Sequence, residues 1–234
     1  MYIWSMRMCA TTFAWLICAL FPVAAKSAGN SVLISQDGYL ITAEHVIAGC
    51  NSLNAVSIGP VTAMGHDKEN DLALLKSNEK ITAEPLPLSM AAVRPGDEVI
   101  AVGYPLQGIL GGLNVTIGIV HDLPNNSTRL EFTAPAVQPG NSGGALLDRS
   151  GTLVGILSSK RTLSGVFGTL LGILSSVHTF GGGVFAVRSE VIQKFLTAQS
   201  VRPVLADGKP LRERSREEIA ELARNSVFAI ECLN

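Results

Sequence analysis

Short apolar runs separated by turn residues dominate the chain beyond residue 26. Two of these runs, 31–35 and 40–42, flank Gln36-Asp37-Gly38, a turn typical of a β-hairpin. Further runs with strand character follow at 72–76, 98–103, 115–122, 129–133, 145–147 and 152–158. Short strands at this spacing predict an all-β barrel or sandwich, because alternating βα units would place helical patterns between them.

Two helices are predicted late in the chain. Ser189 stands in an N-cap position before apolar residues at 191, 192, 195 and 196, which share one helix face. Ser215 and Glu218 have the spacing of a capping box and precede apolar residues at 219, 222 and 223. The segment between the two helices, 201–211, is expected to be a connector.

The N-terminal segment predicts export. Arg7 precedes an apolar run over 8–25, and the small residues Ala24 and Ala25 suit cleavage by a signal peptidase after Ala25. Residues 1–25 are therefore expected to be a signal peptide. The alternative is an uncleaved anchor, because a run of this length can just span a bilayer. Contact with a membrane is expected only in that second case.

Composition excludes some classes of function and limits the cysteine chemistry. The chain has 234 residues, 47% of them hydrophobic, and a net charge of −1 without a basic stripe, so we expect a real core and no nucleic-acid partner. No Cys/His cluster has zinc spacing, so no metal is expected. With Cys9 and Cys18 in the targeting segment, Cys50 and Cys232 remain as either one disulfide or two buried thiols.

The segment 138–147, Gln-Pro-Gly-Asn-Ser-Gly-Gly-Ala-Leu-Leu, is the strongest candidate for chemistry. Ser142 lies between glycines after a Pro-Gly turn, where the backbone can turn sharply and expose a hydroxyl. Backbone N–H groups of Gly140 and Ser142 would point the same way and form an oxyanion hole. This combination is what acyl transfer by a serine nucleophile requires.

Two upstream residues complete a candidate triad. His45 follows a short β-type run and would act as the general base, and Asp71 would orient its imidazole. Asp67 and Glu69 are competing carboxylates, but only Asp71 directly precedes an apolar strand. The chain order His, Asp, Ser is that of chymotrypsin, and it differs from the order in subtilisin and in α/β-hydrolases.

These three segments resemble the trypsin/chymotrypsin-like serine proteases, most closely the bacterial Deg/HtrA-type branch, over roughly residues 29–195. Further matching segments are 37–42, 95–99, 115–120 and 183–187. The resemblance implies two six-stranded antiparallel β-barrels, followed here by short helices, with the active site in the cleft between the barrels. It also implies a serine endopeptidase that forms an acyl-enzyme, needs no cofactor and cleaves protein or peptide substrates in the bacterial periplasm or outside the cell.

Expected boundaries follow from the resemblance. The protease domain would span 26–234, with the first barrel at about 29–85 and the second at about 95–188, and no PDZ domain is expected in this chain. Relatives begin with a short helix and a strand that are missing before 31–35 and that resemble 219–232. We therefore expect residues 226–233 to fold back into the first barrel, a circular permutation that would bring Cys232 near Cys50.

The resemblance also predicts part of the substrate pocket. In the related proteases, the residue six positions before the nucleophile lies at the base of the primary specificity pocket. Here that residue is Ala136, followed by Val137 and Gln138, and Ser158 is expected on the pocket wall. Without an acidic residue there, trypsin-like specificity is not expected, and a modest apolar side chain is the better fit.

Two other functions remain as alternatives. Residues 140–144 fit the G-x-S-x-G pattern of an α/β-hydrolase-type esterase, and Asp148 and His178 follow in that order, but the serine would have to precede a helix. A catalytically idle, protease-like binding protein is the other alternative, although no triad residue is lost. His178, His66 and His121 are expected to be surface or structural residues.

Overall fold

Twelve strands and three helices make up the described part of a computed structural model, which covers residues 26–105, 112–121, 127–158, 184–206 and 212–233. The predicted signal peptide and His178 lie outside these residues. The strands are β1 (Lys26–Leu33), β2 (Tyr39–Thr42), β3 (Ser52–Ala55), β4 (Gly59–Asp67), β5 (Leu72–Ser77), β6 (Glu98–Gly103), β7 (Asn114–Val120), β8 (Arg129–Thr133), β9 (Ala145–Leu147), β10 (Leu153–Leu157), β11 (Val184–Arg188) and β12 (Val227–Leu233). The helices are α1 (Glu44–Ile47), α2 (Ser189–Ala198) and α3 (Arg216–Ser226).

The strands form two closed antiparallel barrels. The first has the strand order β1-β12-β3-β4-β5-β2, and the second has the order β10-β11-β8-β7-β6-β9. Closing a sheet on itself leaves no unpaired edge strand, which is how small antiparallel proteins avoid exposed edges. The prediction of two six-stranded antiparallel barrels is therefore confirmed.

The last strand of the chain completes the first barrel. β12 pairs with β1 in a register that runs from Lys26 opposite Cys232 to Val32 opposite Val227. On its other edge β12 pairs with β3, with Ile230 opposite Ala55. A strand from the far end of the sequence thus separates β1 from β3, in the position that the fold-back hypothesis assigns to residues 226–233.

An apolar cluster between the barrels holds them together. β5 shows how it forms, because its alternating side chains face two cores: Ala73 and Leu75 face the first barrel's interior, and Leu72 and Leu74 join the cluster between the barrels. Helix α2 covers the same cluster with Ile192, Phe195 and Leu196. Because β5 is buried on both faces, its sequence is a nearly continuous apolar run instead of an alternating pattern.

The helices differ in how they begin. The capping box of α3 is confirmed: the Ser215 hydroxyl accepts from the Glu218 N–H, and the Glu218 carboxylate accepts from the Ser215 N–H. The predicted cap of α2 is wrong, because Arg188 occupies the N-cap position and Ser189 is the first helical residue. None of the helices in the described ranges is long and apolar enough to cross a bilayer.

Candidate active site

His45 and Asp71 lie together at the edge of the first barrel. His45 is in α1, directly after β2, and its Nδ1 lies 2.8 and 2.9 Å from the two carboxylate oxygens of Asp71. A carboxylate can only accept, so Nδ1 carries the proton and donates it. The other ring nitrogen, Nε2, is left with the lone pair that a general base needs.

The Asp71 carboxylate is fully buried and well supported. It also accepts the backbone N–H of His45 at 3.1 Å and the Ser158 hydroxyl at 2.6 Å. Burial acts to raise the pKa of this carboxyl, but the hydrogen bonds from His45 and Ser158 outweigh it and hold the pKa of Asp71 well below its usual range. Asp71 is therefore a fixed negative charge beside the imidazole at all but strongly acidic pH.

Competing groups do not share this arrangement. The Asp67 carboxylate accepts from the N–H and the side chain of Asn70 in the turn before β5. His66 and His121 are both exposed, and His121 contacts Thr133. The structure thus brings His45 together with Asp71 and leaves Asp67 in a local turn.

Ser142 lies in residues 138–144, called here the nucleophile loop, at the edge of the second barrel. Tight turns shape the loop: the Asn141 N–H donates to Gln138, the Gly144 N–H donates to Asn141, and the Gly143 N–H donates to Leu157 at 2.7 Å. Gly143 has a φ of +77°, and a Cβ there would overlap the carbonyl oxygen of Asn30. Only glycine fits this close approach to the first barrel, which explains the glycine that follows the serine.

Two N–H groups of the nucleophile loop remain unengaged. Among the described residues, the N–H groups of Gly140 and Ser142 donate to no acceptor, whereas those of Asn141, Gly143 and Gly144 all do. Unpaired backbone donors beside a serine hydroxyl are the elements of an oxyanion hole. Within the described part of the chain, no hydrogen bond joins the His45 ring to the Ser142 hydroxyl, a contact that often tightens only when substrate is bound.

The predicted pocket residues divide into two groups. Ala136 is exposed, and Val137 and Gln138 are half-buried, in the segment that leads from β8 to the nucleophile loop. Ser158, expected on the pocket wall, has its side chain fully buried and directed at Asp71. Its hydroxyl therefore supports the His45–Asp71 pair rather than facing a substrate.

The hydrolase alternative does not fit this architecture. Ser142 is followed by strand β9 and not by a helix. Asp148 accepts hydrogen bonds from Ser150 and Thr152 within the turn after β9, so it supports that turn. The context that a G-x-S-x-G elbow requires is therefore missing.

Cys50 and Cys232 form a disulfide, with their Cα atoms 5.3 Å apart. Cys50 follows α1, which carries His45, and Cys232 is in β12. The bond therefore links the chain's last strand to the segment just beyond the histidine. The sequence alone is compatible both with this disulfide and with two free thiols.

Two contacts across the barrels could not be identified from the sequence. Ser158 follows an unbroken apolar run, and nothing in its pattern shows that its hydroxyl reaches Asp71. Asn30 lies in β1 and hydrogen-bonds the nucleophile loop from the first barrel. A lone amide side chain at the start of an apolar run was the one available signal for Asn30, since a buried polar group needs partners.

Comparison with known proteins identifies a family and a relative that this chain matches. Residues 29–156 match the family described as trypsin-like peptidase domain. The chain is 34% identical to uncharacterized protein y4bJ of Sinorhizobium fredii, with 89% of this chain and 33% of the relative covered.

Two further relatives are proteases by name. The chain is 36% identical to a Hahella chejuensis protein named "Probable periplasmic serine endoprotease DegP-like" (62% of this chain, 32% of the relative). It is 35% identical to "Serine protease Do-like HtrB" of Bacillus subtilis (56% of this chain, 32% of the relative). The chain spans about a third of the length of these relatives. By its two barrels and by this family match, the chain belongs to the trypsin-like peptidase domain family.

Proposed function

We propose that this protein is a serine endopeptidase in which Ser142 is the nucleophile, His45 the general base and Asp71 the residue that orients His45. The observation that carries the proposal is the buried Asp71 carboxylate held against Nδ1 of His45. The family and the names of the two protease relatives support the same function.

The chemistry follows from these groups. The Ser142 Oγ attacks the carbonyl carbon of the scissile peptide bond while its proton passes to Nε2 of His45. The N–H groups of Gly140 and Ser142 stabilise the oxyanion, and the adjacent Asp71 charge stabilises the imidazolium. When the C–N bond breaks, His45 gives its proton to the leaving amine.

Hydrolysis of the acyl-enzyme repeats the sequence with water. His45 takes a proton from the water as it attacks the ester carbonyl, the same N–H groups hold the second oxyanion, and Ser142 leaves with the proton from His45. The products are a free amine and a carboxylic acid. No step needs a cofactor.

The substrate class and location are part of the proposal. We infer that the protein acts on unfolded proteins or peptides after export to the bacterial envelope, as the word "periplasmic" in one relative's name suggests. Ala136, Val137 and Gln138 are the proposed pocket residues, with a preference for a modest apolar side chain.

A fluorophosphonate probe tests the proposal, because it reacts with serines that a neighbouring base activates. We expect labelling of the wild type, and loss of labelling in Ser142→Ala and in His45→Ala. His66→Ala, which changes an exposed histidine in β4, is the matched control and should label like the wild type. A folded wild type that does not label would favour the idle binding protein instead.

A further inference from the structure

Asn30 connects the two barrels at the nucleophile loop. This residue of β1 is fully buried, and its backbone N–H donates to the Ser142 carbonyl oxygen at 2.8 Å. Its own carbonyl oxygen accepts the hydroxyl of Thr42 at 2.5 Å. Hydrogen bonds to both the N–H and the carbonyl of Asn30 thus fix its main chain. The direction of its side chain is therefore defined.

The orientation of the Asn30 amide follows from its partners. The backbone N–H of Tyr104, just beyond β6, lies 2.8 Å from Oδ1, and an N–H group can only donate. The oxygen of the amide must therefore face Tyr104. The nitrogen then faces the carbonyl oxygens of the nucleophile loop, at 2.7 Å from that of Gly140 and 3.5 Å from that of Ser142.

The Gly140 carbonyl depends on Asn30 for its hydrogen bond, while the N–H of the same peptide, that of Asn141, donates to the Gln138 carbonyl at 3.2 Å. Among the described residues, Asn30 is the sole donor to the Gly140 carbonyl, and Gly140 has a φ of +95°. A glycine in this conformation can rotate its peptide groups at little steric cost. The neighbouring Asn141 side chain is fully buried, and within the described ranges neither its nitrogen nor its oxygen has a hydrogen-bond partner.

Rotation of this peptide would change the proposed oxyanion hole. The Gly140 carbonyl belongs to the Gly140–Asn141 peptide. This peptide lies between the Pro139–Gly140 peptide, which carries the Gly140 N–H, and the Asn141–Ser142 peptide, which carries the Ser142 N–H. If the Gly140 carbonyl loses its donor, the cost of turning it away from the first barrel falls. The two N–H groups that would hold the oxyanion are then no longer kept in one orientation.

We propose that Asn30 is a positioning residue for the oxyanion hole, acting through the hydrogen bond from its Nδ2 to the Gly140 carbonyl. The inference rests on the proposed function. It assigns to the first barrel a second role besides supplying His45 and Asp71: it also fixes the loop of the second barrel on which the nucleophile lies.

The test compares Asn30→Asp with the wild type. Aspartate has the same shape and can still accept from Tyr104, but its ionised carboxylate cannot donate to Gly140. Asn30→Ser is the neutral second variant, because its hydroxyl is too short to reach Gly140 and adds no buried charge. Ser226→Ala is the matched control: it removes a buried hydrogen bond to the Glu84 carbonyl, remote from the site.

The measurement is the saturation kinetics of fluorophosphonate labelling. We expect the maximal labelling rate of both Asn30 variants to fall about 10- to 100-fold, with the half-saturating probe concentration unchanged. This is less than the roughly 10²- to 10³-fold cost of removing one oxyanion donor, because the two N–H groups are still present. Ser226→Ala should label like the wild type even if it is less stable. Asn30 variants that label at the wild-type rate, or no more slowly than Ser226→Ala, would overturn the inference.

A second measurement separates this inference from the proposed function. Amide hydrogen exchange over residues 138–144 should be faster in Asn30→Ser than in the wild type, and unchanged in Ser226→Ala. This readout does not depend on catalysis. If the folded wild type fails to label, the proposed function fails, and unchanged exchange in Asn30→Ser would independently reject the role of Asn30.

Discussion

The two barrels have the same number of strands but are assembled differently along the chain. The second barrel uses strands β6 to β11 in one stretch, whereas the first combines β1 to β5 with β12 from the other end of the sequence. The first barrel can therefore close only when both ends of the described chain are in place. Its closure rests on contacts of long sequence separation, which cost more chain entropy to form than local ones.

The barrels also support each other's functional residues. The first barrel carries His45 and Asp71, yet Ser158 of the second barrel donates to Asp71. The second barrel carries Ser142, yet Asn30 of the first barrel holds its loop. The proposed site is thus a shared structure, and damage to either barrel should reach the chemistry of both.

Removal of the last strand should have the largest effect. Deletion of residues 226–234 leaves one edge of β1 and one edge of β3 unpaired, opens the barrel and exposes the core that Phe228 and Ile230 cover. We expect an insoluble or unfolded chain without labelling, measured by solubility and circular dichroism. Glu231→Gln, which keeps the strand, should fold normally; a soluble, labelling deletion variant would refute the dependence of the first barrel on β12.

Loss of the buried charge of Asp71 should have the next largest effect, a fall in the labelling rate. Asp71→Asn keeps the shape but favours the wrong tautomer of His45, so we expect the labelling rate to fall roughly 10⁴-fold. Asp67→Asn, in the turn before β5, is the control and should label like the wild type. Equal rates in Asp71→Asn and the wild type would remove Asp71 from the proposed triad.

The same variant has an expected signature in stability against pH. Because the pKa of Asp71 is lower in the folded than in the unfolded chain, its ionised form stabilises the fold above about pH 4, the unfolded pKa. That contribution is lost as the pH falls toward the folded pKa. The difference in the free energy of unfolding between the wild type and Asp71→Asn should therefore shrink in acid.

Loss of the disulfide should act on stability rather than on chemistry. Cys50→Ala with Cys232→Ala should lower the free energy of unfolding by roughly 2–4 kcal/mol, because the link constrains the unfolded chain. Urea unfolding measures the change, and a reductant should destabilise the wild type but not the double variant. A reductant that leaves the wild-type midpoint unchanged would contradict a stabilising role.

Local patterns in the sequence predict much of this fold, and contacts between distant segments account for the rest. The capping box of α3 depends on two residues three positions apart, so the sequence alone predicts it. The start of α2 is not predicted correctly: Arg188, the last paired residue of β11, is the N-cap, so the helix begins one residue earlier than a cap at Ser189 would place it. Likewise β1 begins at Lys26, before the apolar run at 31–35, because it pairs there with β12.

The residues of the candidate site likewise fall into those that the sequence predicts and those that only the structure shows. His45, Asp71 and Ser142 are predictable because each lies in a recognisable local segment in a known chain order. The hydroxyl of Ser158 and the amide of Asn30 act across the barrels, on partners far away in sequence. Only the packed structure shows those contacts.

Peptide mass spectrometry of the fluorophosphonate adduct tests directly whether His45 activates Ser142. If a base in the first barrel activates one serine of the second, the wild type should carry a single adduct on Ser142 and His45→Ala should carry none. An adduct on another serine, or an adduct on Ser142 that persists in folded His45→Ala, would contradict that activation.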